Sequence, residues 1–262
     1  NIKHKYFMTL AFNQARRILG NTGTNPAVGC AIVKNNILLS LAHTNFNGRP
    51  HAEEIALSNN KINFRNSSLY STLEPCTHPR KTFSCSEIIA KKNIGSVYFS
   101  KFDPDFRNYK KAKKKLYINK IKTFDNISKT TGDDFYKDFY IKNRSNRIFI
   151  SSKLASSKDH YICNKKNKWI TNIHSRGRVH LLRANHNAIL TTSSTILDDN
   201  PTLNCRINGL QKYSPIRFIL DKNLRIPINS KIVKSANFRK VIIFSNKKNI
   251  KYKKLIKLGC II

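Results

Sequence analysis

The chain opens with NIKHKYFMTLAFNQARRIL, in which Phe7, Leu10, Ala11 and Ile18 recur on a helical period, so an amphipathic helix is predicted there. AVGCAIVKNNILLSLAH (27–43) sets two short apolar runs on either side of Asn35-Asn36, the pattern of a β-hairpin. HAEEIALSNN (51–60) reads as a helix, and SSLYSTLEP (67–75) reads as a strand ending at a proline. SCSEIIAKKN (84–93) is a second helical pattern and GSVYFS (95–100) another strand. This alternation predicts an α/β domain whose helices cover a sheet.

Near residue 146 the pattern breaks. RIFISSKLA (147–155) reads as a new strand, SRGRVHLLRANHNAIL (175–190) as a helix followed by a strand, and PIRFILD (215–221) and KVIIFS (240–245) as further strands. Two domains are therefore expected, 1–146 and 147–262, and 262 residues suffice for two cores. No run of about 18 apolar residues occurs, so no membrane span is expected. The first residues lack the uninterrupted apolar core of a signal peptide, which makes a cytoplasmic location the default.

Composition changes this picture little. A hydrophobic fraction of 40% with 10% aromatics excludes a disordered chain. The net charge of +35 would ordinarily suggest a nucleic-acid partner. Here the lysines are spread along the whole chain and accompany an excess of asparagine and isoleucine, as codons poor in G and C would produce. Nucleic acid is therefore disfavoured as a partner, and the densest run, YKKAKKKLYINKIK (109–122), reads as a solvated basic face. Without an export signal the six cysteines are expected to be thiols or metal ligands rather than disulfides. Cys30, Cys163, Cys205 and Cys260 read as small core residues.

Cys76 and Cys85 are different. Cys76 follows Pro75 at a predicted strand end, while Ser84 and Glu87 make a capping box that places Cys85 in the first turn of a helix. The positive end of that helix favours a thiolate. His51, after Pro50, opens the other helix. Two thiolates and an imidazole leave one tetrahedral position open, the catalytic arrangement of zinc, in which the pKa of bound water falls to about 7. A structural site would want a fourth ligand, and His78 is the one nearby candidate. Residues two apart do not share a helix face, so Glu53 reaches the same site only if His51 stands where the helix begins. There it would move protons. His51-Ala-Glu53 upstream of Pro75-Cys76 and Cys85 is the zinc deaminase signature.

TNPAVGCAIV, GRPHAE and TLEPCTH carry a more specific likeness, as do the eight residues, rather than the usual two, between the cysteines. Residues 1–146 resemble the deaminase domain of the bifunctional riboflavin-biosynthesis deaminase/reductase family. NKWIT, HLLRANHNAILTTSSTILDDNPTLNCR and PIRFILD resemble that family's reductase half. The resemblance implies a cytidine-deaminase-like three-layer domain followed by a dihydrofolate-reductase-like α/β domain. It implies zinc-dependent hydrolytic loss of the 2-amino group from a phosphoribosylated diaminopyrimidinone, then NADPH-dependent reduction of the ribosyl group to ribityl. Asn25 and His43 would orient the pyrimidine, and His78 and Lys81 would lie on the phosphorylated substrate, where a cation suits the phosphate. In the second domain Lys153, Asn167, Arg183, Leu203 and Arg206 would contact substrate, and Trp169, Thr195, Asp199 and Lys222 the NADPH. Homo-oligomers are implied as well.

The likeness has departures. Arg80-Lys81-Thr82-Phe83-Ser84 stands where the family has Gly-Arg/Lys-Thr-Pro-Pro, and Asn164-Lys165-Lys166-Asn167 replaces its Ser-Gly-Glu-Ser. Ser157-Lys158-Asp159-His160-Tyr161 and Lys222 also differ from the family's residues. LIKLGCII precedes the family's Glu-Gly-Gly-type loop, whose backbone N–H groups bind cofactor phosphates, so the reductase half is expected to be incomplete. Two alternatives follow: a deaminase with a non-functional reductase remnant, and, from another class, a nucleic-acid-editing (tRNA) deaminase.

Overall fold

The computed structural model describes residues 2–78, 83–162 and 169–262, and the chain divides into two compact units, Asn1–Ser152 and Lys153–Ile262. In the first unit, helix α1 (Ile2–Ile18) buries Phe7, Met8, Ala11, Phe12, Ala15 and Ile18, a wider stripe than the sequence pattern suggested, while Leu10 is only partly covered. Strands β1 (Gly29–Lys34) and β2 (Ile37–His43) pair antiparallel. Asn35 and Asn36 between them both take positive φ (49° and 67°), as a two-residue hairpin turn requires. There follow α2 (Ala52–Ala56), β3 (Ser68–Leu73), α3 (Cys85–Lys91), β4 (Ser96–Lys101), α4 (Lys111–Ile118), β5 (Lys122–Phe124), α5 (Lys129–Phe135) and α6 (Lys137–Ser145).

Among the described residues these strands form a five-stranded sheet in the order β2-β1-β3-β4-β5, with β3, β4 and β5 parallel. Alternation along β3 shows how the layers are arranged. Tyr70 packs on Phe7 of α1, and the Thr72 hydroxyl accepts the Gly29 N–H and meets the Tyr136 hydroxyl beyond α5. Ser71 points to the opposite face and bonds Glu53 of α2. Helices thus cover both faces. At Gly29 a Cβ would lie 1.8 Å from the Ala11 carbonyl oxygen, so α1 rides on β1 at a point where only glycine fits.

The second unit contains α7 (Ile173–Ala184), β6 (Ala188–Thr192), α8 (Ser193–Asp199), β7 (Ile216–Leu220), α9 (Lys231–Lys234), β8 (Val241–Phe244) and α10 (Ile250–Lys257). Its strands run parallel in the order β6-β7-β8, and Ile261 bridges to Ile242 in parallel beside β8. Its core gathers Ile196, Ile219, Ile226, Ile232, Val241 and Leu255.

Three expectations need correction. RIFISSKLA (147–155) forms no strand: the segment has no regular structure, and Ile148 and Ile150 are exposed, because no neighbouring strand pairs with it among the described residues. The helix expected over 51–60 stops at Ala56, with Leu57 as its C-cap, before the poor helix formers Ser58, Asn59 and Asn60. The basic run is not simply a solvated face, since α4 buries Ala112 and Leu116 and its Lys115 is engaged by three partners. Cys30, Cys205 and Cys260 are buried as expected, while Cys163 lies outside the described residues. Among the described residues no helix is long and apolar enough to cross a membrane.

Candidate metal centre and active site

Three elements of the first unit meet at one point. His51 is the N-cap of α2, Cys76 follows the end of β3, and Cys85 is the first residue of α3, whose capping box is formed by Ser84 and Glu87 as the sequence suggested. Because His51 stands outside the helix, it and Glu53 both face the site. His51 Nδ1 lies 3.3 Å from Cys85 Sγ and 3.6 Å from Cys76 Sγ, and the three potential ligand atoms all fall within 4.8 Å of one another. A zinc tetrahedron with bonds of about 2.3 Å to sulfur and about 2.0 Å to nitrogen has edges of roughly 3.5–3.8 Å. The two histidine–sulfur separations already lie close to such edges.

The electrostatics of the metal-free arrangement suit the same ion. Cys76 is pulled well below the ordinary thiol range by a hydrogen bond from Cys85, helped by His51, against the effect of burial. Cys85 is pushed up as the donor of that bond and by burial. Burial works against an imidazolium at His51, but its bond to Cys76 and the charge of Glu53 outweigh this and raise it. The thiolate is the form in which each sulfur would serve as a metal ligand, and a divalent cation would stabilise both.

Glu53 is buried, with its carboxylate split between two neighbours. Oε1 accepts from Ser71 Oγ at 3.1 Å, and Oε2 lies 3.5 Å from Cys85 Sγ. Burial above all, and then the charge on Cys76, raise its pKa, with His51 and Ser71 pulling it back. Burial thus makes this carboxyl a better proton acceptor than an exposed glutamate. Ser71 was not singled out from the sequence, although it shares strand parity with the inward Leu69 and Leu73 on the face opposite Tyr70.

The other expected deaminase residues lie on loops and strand ends of this unit. Asn25 is half-buried and donates through Nδ2 to the Gly48 carbonyl at 3.2 Å. His43, at the end of β2, has Nδ1 2.8 Å from the Thr44 carbonyl, which can only accept, so Nδ1 carries the proton. His78 is half-buried near Asp105, a carboxyl held down to about 2 chiefly by Arg107, with His78 a smaller influence. Lys81 lies outside the described residues.

In the second unit Asn167 likewise lies outside the described residues. Arg183 on α7 donates to the Asn204 carbonyl at 3.2 Å and approaches His180, and the Arg206 N–H bonds the same histidine. The two arginines are thus brought together; burial first, and then the charge of Arg206, lowers the pKa of Arg183. Leu203, three positions before Arg206, is buried. Lys153 is exposed on an irregular segment. The C-terminal ends of β6, β7 and β8 share an edge, since Thr192, Leu220 and Phe244 pair in register. Thr195 lies on α8, which leaves β6 at that edge, and Lys222 lines a hollow of about 420 Å³ there with Leu220, Asp221 and Phe244. Ligands of open parallel sheets bind at this edge. Asp199 is exposed at the far end of α8, and Trp169, also exposed, has the Arg176 guanidinium 4.5 Å from its ring centre.

Comparison with known proteins agrees with this division. Residues 1–101 match the cytidine and deoxycytidylate deaminase zinc-binding region, and residues 149–261 match the RibD C-terminal domain. The first unit is thus a zinc deaminase fold and the second a dihydrofolate-reductase-like one, the combination of a two-domain enzyme. The riboflavin biosynthesis protein RibD of Aquifex aeolicus is 31% identical over 257 residues, spanning 97% of this chain and 72% of that protein. The corresponding protein of Actinobacillus pleuropneumoniae is 30% identical over 239 residues, and the chain spans 63% of its length. A crystal structure of a diaminohydroxyphosphoribosylaminopyrimidine deaminase/5-amino-6-(5-phosphoribosylamino)uracil reductase from Thermotoga maritima superposes with a TM-score of 0.85 at 28% identity, covering 94% of this chain and 71% of that one. The chain belongs to the RibD family of riboflavin biosynthesis proteins.

Proposed function

We propose that residues 1–146 deaminate a phosphoribosylated diaminopyrimidinone and that residues 147–262 belong to the NADPH-dependent reductase half of the same enzyme. The observation that carries this reading is the convergence of His51, Cys76 and Cys85 within 4.8 Å, with Oε2 of Glu53 3.5 Å from Cys85. When bound by these three residues, zinc would supply Lewis acidity that makes a water molecule a nucleophile at neutral pH. In the reaction a C–O bond forms at the amidine carbon as its C–N bond breaks. Glu53 takes the proton released by the attacking water and delivers it to the departing nitrogen, which leaves as ammonia. Ser71 holds one carboxylate oxygen so that the other faces the site. Asn25 and His43 orient the pyrimidine, and His78 and Lys81 take the phosphorylated substrate.

For the reductase half, the support is the shared C-terminal edge of β6, β7 and β8, with Thr195 and Lys222 placed along it and Trp169 and Asp199 as further NADPH contacts by resemblance. Arg183, Arg206, Leu203, Lys153 and Asn167 are the substrate residues of that reading, and paired arginines suit a phosphorylated ligand. The family resemblance also supports a cytoplasmic homo-oligomer. A nucleic-acid-editing function finds no support in the relatives, which are riboflavin enzymes through both domains.

The deciding experiment incubates the purified chain with the diaminopyrimidinone phosphate, with and without NADPH, and reads product masses. Loss of one amino group as ammonia is the expected result without NADPH, and a chelator should abolish it. Unchanged substrate in the presence of zinc would overturn the deaminase reading. A further gain of two hydrogens with NADPH would establish the reductase in this chain.

A further inference from the structure

One lysine of the basic run reaches both cysteine segments. Lys115 Nζ, on α4, donates to the Thr77 carbonyl at 2.9 Å, to the Ser84 hydroxyl at 3.1 Å and to the Glu87 carboxylate at 2.8 Å. Thr77 directly follows Cys76, and Ser84 directly precedes Cys85. A single ammonium therefore ties together the two segments that bring the thiols to the site. From another direction Asn108, which is fully buried, accepts the Thr77 N–H at 2.7 Å and the Thr77 hydroxyl at 2.9 Å through Oδ1. Its Nδ2 reaches Asp103 at 3.1 Å. Glu74 fixes this loop in turn, accepting the backbone N–H groups of Asp103, Lys110 and Ala112. The N–H, hydroxyl and carbonyl of Thr77 are thus all held by α4 and the loop before it.

A lysine beside the start of α3 runs against the helix dipole, which favours anions at that end. Glu87 offsets the conflict locally, but the capping box does not itself require a cation, since Ser84 and Glu87 already satisfy each other's backbone. What the cation adds is the link across to Thr77.

We propose that Lys115 and Asn108 form a clamp that holds the Cys76 and Cys85 segments at ligand spacing before the metal arrives, and so set the zinc affinity of the chain. This rests on the zinc reading above. Both are positioning residues: neither touches the metal or the reacting atoms, and they act by reducing the ordering that binding must complete. Removing groups that orient metal ligands typically lowers affinity about 10–100-fold.

The test is a zinc titration of the purified full chain in competition with a chromophoric chelator. Lys115→Met keeps the aliphatic stem but removes all three donors, and its zinc affinity should fall about 10–100-fold. Lys115→Arg should recover most of the loss, and Lys114→Met, at an exposed neighbour, should leave the titration unchanged. Should Lys115→Met not fold, Lys115→Gln makes the same comparison, with a decrease again expected. A purely structural lysine would lower the melting temperature of the metal-free protein without moving the titration. Wild-type affinity in Lys115→Met or Lys115→Gln overturns the clamp and leaves the zinc reading standing. A wild-type chain that binds no zinc overturns the zinc reading, and the clamp with it.

Discussion

Replacing Glu53 by glutamine should lower the rate of deamination by about 10²–10⁴-fold while one zinc per chain remains in place. The substitution is nearly isosteric, and the oxygen that accepts from Ser71 is preserved. The loss falls on the other half of the group. Oε2 faces Cys85 and the metal position, and an amide nitrogen there can neither take a proton from water nor return one to a leaving amine. Burial raises the Glu53 pKa, which suits the proton-transfer role proposed for it. Ammonia release measured beside zinc content separates the two contributions. A Glu53→Gln protein that held zinc and turned over at the wild-type rate would remove Glu53 from the mechanism.

The second large effect is expected at Cys85. Serine fits the same buried position and can still begin α3, but its hydroxyl does not ionise near neutral pH as a ligand must. Cys85→Ser should keep little zinc after dialysis against a chelator, and its deamination should fall to background. Its thermal stability should also stop responding to added zinc, because the stabilisation a bound ligand supplies, about 2.7 kcal/mol at a concentration 100 times Kd, disappears with the site. Retention of the wild-type zinc content in Cys85→Ser would place the metal elsewhere.

Local chemistry was legible in the residues, and long-range chemistry was not. The capping box at Ser84 and Glu87 needs only three residues of context, so the place of Cys85 at a helix start followed from the text alone. The Asn35-Asn36 turn was readable for the same reason, since it is a two-residue event. Ser71, Asn108 and Lys115 carry no local signature. Their partners lie 18, 31 and as many as 38 positions away, and only the folded sheet and α4 bring them together. Ile148, Phe149 and Ile150 show the converse error: β-branched and aromatic residues favour a strand, yet a strand requires a partner, and among the described residues none pairs with these. In the basic run, composition hid a division of labour, for Leu116 is core and Lys115 a link while Lys111 and Lys114 face solvent.

The most direct measurement is X-ray absorption at the zinc edge of the purified, metal-loaded chain. Two sulfurs at about 2.3 Å and one imidazole nitrogen at about 2.0–2.1 Å, completed by a light-atom solvent ligand, is the shell expected from Cys76, Cys85 and His51. A shell without sulfur, or one closed by four protein side chains, would contradict a hydrolytic metal centre at this point of the fold.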